Sequence, residues 1–390
     1  MHAGVRVWCG GRWHRCRTRA ATGVLPSPAT VARMNHLWLR RRGGRATLLA
    51  VLAAVVLVPT VASAAVVTVR AAAPGRTAAA QPLSTSEGQL IAIVGDISCA
   101  PTNPVYRGGE GSPAGCRQDS VAAQLAGRRL HAFLPLGDLQ YEDGRLDEFI
   151  NVYDQFFGPY KAISRPVPGN HEYKTPSGQG YYEYFGAAAH KDTPYGVPGS
   201  YSYDVGSWHL IAINSNLCAP ITPCTDTSPM IRWLKDDLAA HPNRCTLAYW
   251  HHPLYSLGHH GAYAPMTPVW NTLLDNGVDV VMTAHDHNYQ RFTPLGRATA
   301  IDNSTMVAPT AVPESQGMRS WIVGTGGANN YGLDDHPDVE QVTESKYADT
   351  SAALFGVLFM RLRDGGYAWD FQQAQPATVP FSDSGVGTCR

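Results

Sequence analysis

The chain has no net charge: 31 basic residues balance 31 acidic ones over 390 positions. The balance conceals a lopsided distribution. Residues 1–64 contain no Lys, Asp or Glu, but ten Arg. The remainder holds 21 basic against 31 acidic side chains, a net charge of −10 with His neutral. A body of that sign lacks the positive surface that nucleic acid or an anionic membrane would require. No C-x-x-C pair occurs, which argues against a thiolate zinc site, and there is no internal repeat. What is present is 44% hydrophobic residues, ample for a large core in one or two domains.

Cys9 and Cys16 lie in the Arg-rich leader, leaving Cys99, Cys116, Cys218, Cys224, Cys245 and Cys389. An even set behind an export signal reads as disulfides. Six cysteines allow fifteen pairings, and sequence alone does not choose among them; free buried thiols are the rival reading. The expected arrangement has Cys99–Cys116 and Cys218–Cys224 as local staples, with Cys245 tying down the tail at Cys389.

Residues 1–33 are Arg/Trp/Gly-rich without periodicity, an unstructured leader or the product of a misassigned start, with Met34 as the alternative start. From Met34 the order is that of an export signal. Arg40-Arg41-Arg42 and Arg45 form a positive region, Ala46 to Val61 an apolar one, and Ala62-Ser63-Ala64 a cleavage site. Apolar residues continue to Val69, so an uncleaved membrane anchor is the rival; Pro59 and the small residues favour cleavage. Consecutive arginines raise the twin-arginine route, which Gly43-Gly44 weakens. The expected organisation is a signal peptide at 34–64, a linker at 65–88 and one domain at 89–390, secreted or extracytoplasmic. A membrane is a partner only if the signal stays uncleaved.

Within the body, short buried strands alternate with helical patterns. Leu90–Val94, Ala132–Leu136, Cys245–Trp250 and Val280–Thr283 read as strands. Ser120–Arg129, Met230–His241 and Thr267–Asn276 read as helices. Leu146, Phe149, Ile150, Tyr153, Phe156 and Phe157 recur at helical spacing. Tyr201–Asn214 reads as a hairpin turning at Gly206-Ser207, and Ser320–Val323 with Phe355–Gln372 as antiparallel strands. Strand–helix alternation with polar residues at strand ends implies an α/β fold, a layered sandwich with its site along one sheet edge.

Those polar residues are Asp96; Asp138 with Tyr141; Asn170 with His171; His251; and His285 with His287. Oxygen and nitrogen donors without thiolate are the mixture expected for Fe, Mn or Zn. Gly-Asp at 95–96, Gly-Asp-x-x-Tyr at 137–141, Gly-Asn-His-Glu at 169–172, His-x-Pro-x-Tyr at 251–255 and His-x-His-x-Tyr-x-Arg at 285–291 resemble the calcineurin-like metallophosphoesterases. The nearest branch resembles the purple acid phosphatases and their secreted bacterial relatives, over roughly residues 89–372.

The resemblance implies an α-β-β-α sandwich of mixed sheets with two metal ions at the strand C-terminal edge. It assigns one ion to Asp96, Asp138, Tyr141 and His287, and the other to Asp138, Asn170, His251 and His285, with Asp138 bridging. Asp96-Ile97-Ser98 replaces the superfamily's Asp-x-His, and Tyr141 stands where the purple branch makes good that His. A phenolate suits Fe³⁺, so Fe³⁺ is expected there and Fe²⁺, Zn²⁺ or Mn²⁺ at the second position. His171 is implied as the catalytic acid, and His171, His259 and His260 as substrate contacts. Arg291 reads as a structural ion-pair partner. The implied activity is hydrolysis of small phosphate monoesters by metal-activated hydroxide. Phosphodiester or nucleotide hydrolysis on the same centre is one alternative; a non-catalytic secreted metal- or phosphate-binding module is another.

Overall fold

A computed structural model describes residues 88–390 apart from 243–244, 300–308, 348–352 and 378. It also describes a separate antiparallel pair, Val7–Cys9 with Arg12–His14. The expected signal peptide, and the linker apart from its last residue, lie outside the described residues.

The body is built on two sheets. In chain order the strands are β1 (Gln89–Val94), β2 (Ala132–Pro135), β3 (Tyr201–Val205), β4 (Trp208–Ala212), β5 (Cys245–Tyr249) and β6 (Val280–Thr283). They continue as β7 (Tyr289–Phe292), β8 (Arg319–Val323), β9 (Thr343–Lys346), β10 (Gly356–Arg363), β11 (Gly366–Gln373) and β12 (Ser384–Thr388). Seven strands run in the order β9-β7-β8-β6-β5-β4-β3 and five in the order β12-β11-β10-β1-β2. Both sheets are mixed: β1 and β2 are parallel, as are β4, β5, β6 and β8 with their neighbours in that run, while the flanking strands are antiparallel.

Period-two alternation explains why the central strands read as continuous apolar runs. On β5 and β6, Leu247, Tyr249, Val280 and Met282 face the core between the sheets, together with Ile91 and Ile93 of β1. Ala248 and Val281 face outward, against the helices Pro229–Ala240 (α1) and Thr267–Asp275 (α2). Ala92 and Val94 of β1 face a third cluster with Phe149, Tyr153 and Phe157. Each sheet therefore has one face on its partner and one under helices, the four-layer sandwich expected from the sequence.

Three details differ from expectation. The helix expected over Ser120–Arg129 spans only Gln118–Ala123 and then breaks into turns. The pattern from Leu146 is not one helix: Leu146–Glu148 and Asp154–Phe157 are α-helical, with a π-helical Phe149–Tyr153 between them. The wider π turn shifts the phase, and Ile150 ends 54% exposed. Strand β8, expected to be antiparallel, is so only towards β7; it runs parallel to β6.

The six body cysteines form Cys99–Cys116, Cys218–Cys224 and Cys245–Cys389, the pairs expected. Three disulfides fit an oxidising, extracellular environment. Among the described residues no helix is long and apolar enough to cross a membrane.

Candidate metal centre

Parallel strands end on the same side, so the residues following β1, β2, β5 and β6 collect at one edge. The two sheets are stitched together there. The Gly95 N–H donates to the Val323 carbonyl at 2.9 Å, and the Gly326 N–H to the Gly95 carbonyl at 3.0 Å. Asp96, Asp138 and His285 each turn the chain away from its strand with positive φ, 60°, 48° and 72° respectively. Asp and His tolerate that left-handed region better than most residues, though at a cost in strain. Gly137 precedes Asp138 at φ 88°, and a Cβ there would lie 2.7 Å from His251 Nδ1.

The carboxylates of Asp96 and Asp138 are almost fully buried and meet the same phenol. Tyr141 Oη donates to Asp96 Oδ1 at 3.0 Å and lies 3.4 Å from Asp138 Oδ2. Its oxygen is also 2.8 Å from His287 Nε2, which lies 3.5 Å from Asp96 Oδ1. On the other side His251 Nε2 lies 3.2 Å from Asp138 Oδ2 and 3.2 Å from His285 Nδ1. Asp138 thus touches both groups. The side-chain oxygen of Asn170 is buried without any hydrogen-bond partner, a cost that a cation would remove.

Two imidazoles are oriented from behind. His251 Nδ1 donates to the Leu136 carbonyl at 2.8 Å, and His287 Nδ1 to the Asn329 carbonyl at 2.5 Å. Each bond engages Nδ1 and leaves Nε2 facing the carboxylates, a common support for metal-binding histidines.

Electrostatics match that picture. Burial drives Asp96 well above the usual carboxylate range; His251 opposes the rise and the Asp138 charge adds to it. Burial acts on Asp138 in the same sense, but His251, His171 and His285 overcome it and hold Asp138 well below its ordinary value. His251 rises to about 9 because Asp138 outweighs its burial. Burial lowers His287 to about 3, and burial with the neighbouring His251 and His252 lowers His285 further still. Two imidazoles are therefore neutral beside two acids that cannot both ionise comfortably, and multivalent cations would relieve that conflict. The donor set fits two cations, with Asp138 common to both.

His171 stands above Asp138. Its backbone N–H donates to Asp138 Oδ1 at 2.8 Å, and its Nε2 lies 3.9 Å from Asp138 Oδ2. His260 is exposed at the rim and stacks on His285 at 4.4 Å between ring centroids. His259 turns outward, 72% exposed and 3.6 Å from Asp334. Arg291 binds Asp383 through two hydrogen bonds, 2.8 and 2.9 Å, and also contacts Glu344.

Sequence reasoning gave no role at the site to several neighbours. His252 is buried 4.6 Å from His285, its Nδ1 paired with Ser215 Oγ at 2.8 Å. Tyr331 stacks on His287 at 4.1 Å. Buried Glu172 gathers the backbone N–H groups of Asp138, Leu139 and Gly169 at 2.7–2.9 Å. Lys174 lies against His171. Of these, Glu172 and His252 lay within motif blocks that could have flagged them.

Comparison with known proteins bears on the family and the fold. The model of the calcineurin-like phosphoesterase family matches residues 90–289. Purple acid phosphatase 21 of Arabidopsis thaliana is 28% identical over 188 residues, 44% of this chain and 41% of that protein. The chain thus matches less than half the length of that curated relative. The structure of purple acid phosphatase PPD1 from yellow lupin superposes with a TM-score of 0.50 at 17% identity, covering 77% of this chain and 54% of that one. GAP50 of Plasmodium, described as the anchor in the inner membrane complex, superposes with a TM-score of 0.51 at 12% identity, covering 78% and 89%. Such identities speak for the fold alone. With half of its length matched by the family model and its strand-end acids, amide and imidazoles gathered at one sheet edge, the chain belongs to the calcineurin-like phosphoesterase family.

Proposed function

We propose that the chain is a secreted, binuclear-metal phosphoesterase that hydrolyses small phosphate monoesters. The observation that carries this reading is the position of the Asp138 carboxylate, within 3.4 Å of both Tyr141 Oη and His251 Nε2. A shared anionic ligand is what two cations roughly 4 Å apart need to damp their repulsion. Asp96, Asp138, Tyr141 and His287 would hold one ion; Asp138, Asn170, His251 and His285 would hold the other. Fe³⁺ suits the first set through its phenolate, and Fe²⁺, Zn²⁺ or Mn²⁺ the second. When bound, the ions would polarise the phosphoryl oxygens and acidify water for attack at mild pH.

The chain's own groups supply orientation and a proton. His171 Nδ1 lies 2.6 Å from the Glu142 carbonyl. A carbonyl only accepts, so Nδ1 carries a hydrogen and Nε2 is the atom that exchanges protons with the substrate. Protonated at Nε2, His171 donates to the departing ester oxygen as the P–O bond breaks; water returns the proton afterwards. His260, stacked on His285, lines the same approach.

Residues 34–64 would direct export, with cleavage after Ala64 and residues 65–88 as a linker; a membrane partner would remain only if cleavage failed. The test is an assay of purified protein on p-nitrophenyl phosphate and its bis-ester, with elemental analysis. Two ions per chain and preferential monoester turnover are expected. A bis-ester preference would make the protein a phosphodiesterase. Metal-loaded protein inert on both would make it a binding module, as a scaffold shared with an anchor protein allows. Visible absorption from a tyrosinate–iron pair, lost in Tyr141→Phe, tests the iron assignment.

A further inference from the structure

We infer that Lys174 selects substrates whose leaving group carries a negative charge next to the scissile phosphate. The inference rests on the phosphoesterase reading above and adds a substrate class to it.

Lys174 ends the short 3-10 turn Glu172–Lys174, immediately after the block that carries Asn170 and His171. Its ammonium lies 3.0 Å from His171 Nδ1 and 3.5 Å from His171 Nε2. Neither contact satisfies it well. Nδ1 is engaged with the Glu142 carbonyl at 2.6 Å and so bears a hydrogen of its own. Nε2 is at the outer limit of hydrogen-bond distance. Among the described residues no carboxylate lies within ion-pair distance of Lys174, whereas exposed Arg145 is paired with Asp147. The lysine is exposed, so water solvates it, and an anion arriving beside His171 would meet a cation with donors to spare.

The order of groups gives the direction. Asp138 Oδ2 lies 3.9 Å from His171 Nε2, and the Lys174 ammonium lies against the same imidazole, 3.5 Å from that nitrogen. If His171 gives its proton to the leaving oxygen, Lys174 stands beside the atoms attached to that oxygen. The P–O bond to the leaving group breaks, the leaving oxygen takes the His171 proton, and the phosphoryl group takes water's oxygen. A leaving group that is itself a phosphate, as in a nucleoside diphosphate, places its charge against the ammonium, and charge-assisted bonds of this kind are the strong ones.

The experiment compares ADP with p-nitrophenyl phosphate for the metal-loaded wild type, Lys174→Met and Lys174→Arg. Lys174→Met is expected to lower the ADP to p-nitrophenyl phosphate ratio of kcat/KM by about tenfold, the worth of one charge-assisted hydrogen bond. The loss should fall on KM for ADP rather than on kcat, and Lys174→Arg should restore most of it. An unchanged ratio, or a kcat loss shared by both substrates, overturns the inference while leaving phosphoester hydrolysis standing. A wild type that turns over neither substrate ends both readings.

Discussion

The His285 backbone N–H donates to Asp96 Oδ2 at 2.9 Å, joining residues 189 positions apart. One carboxylate oxygen thus positions the loop after β6 while the other meets Tyr141 at 3.0 Å. The loops that carry the candidate ligands brace one another through the chain's own hydrogen bonds, and such preorganisation limits what binding must reorganise.

Bracing does not remove the repulsion between buried acids or satisfy Asn170 Oδ1. Removing metal with a chelator is expected to lower Tm by several degrees, since a ligand held at a hundred times its Kd contributes about 2.7 kcal/mol to the folded state. Differential scanning calorimetry before chelation, after it and after metal is restored measures this. An unchanged Tm would mean that the cluster holds no ion.

Asp138→Ala and His171→Ala should separate holding from chemistry. Asp138→Ala removes the oxygen atoms common to both groups, so metal content and turnover should vanish together. His171→Ala should retain metal while kcat falls roughly 10²–10⁴-fold, the usual worth of general acid catalysis. Elemental analysis beside steady-state kinetics reads both, and full activity in the second variant would remove the acid role.

The disulfides should differ in weight. Loop-closure entropy assigns roughly 5 kcal/mol to Cys245–Cys389, whose ends are 144 residues apart, and roughly 2 kcal/mol to Cys218–Cys224, 6 apart. Replacing each pair by Ser should therefore lower the urea midpoint much more for the first, which also ties the tail to the start of β5. Equal losses would point to strain or residual structure in the unfolded chain instead.

Far along the same sheet, His209 is buried with Nδ1 2.8 Å from Asp204 and Nε2 3.0 Å from Asp237, while His241 stacks on it at 4.3 Å. Burial alone would lower its pKa, but Asp237 and Asp204 overcome burial and raise it. A raised folded-state pKa means the contribution is complete below the unfolded value near 6.5 and is lost as pH climbs through the folded one. His209→Gln should accordingly cost more stability at pH 5.5 than at pH 8.5 in denaturant titrations. A pH-independent difference would show that the ring is held for its shape.

Much of this was legible in the residues because strand ends advertise themselves. Apolar runs that stop at Gly-Asp, His-His or His-x-His mark both the strand and what it presents, as at β1, β2, β5 and β6. Where structure depends on non-local packing the text was silent. Nothing before Phe149 announces the π turn that turns Ile150 to solvent, and no spacing reveals that β8 lies parallel to β6. Tyr331 sits outside any repeating pattern, and only folding brings it beside His287. Glu172 was visible as a letter in a motif, but its hold on three backbone N–H groups is a property of the loop's path.

The left-handed turns at Asp96, Asp138 and His285 carry a consequence for how such a chain can change. Glycine would sit at each with less strain, but at Asp96 and Asp138 it would orphan the N–H groups of His285 and His171. Selection for robustness alone would therefore erode the centre first at His285, the one of the three corners whose side chain accepts no such backbone bond.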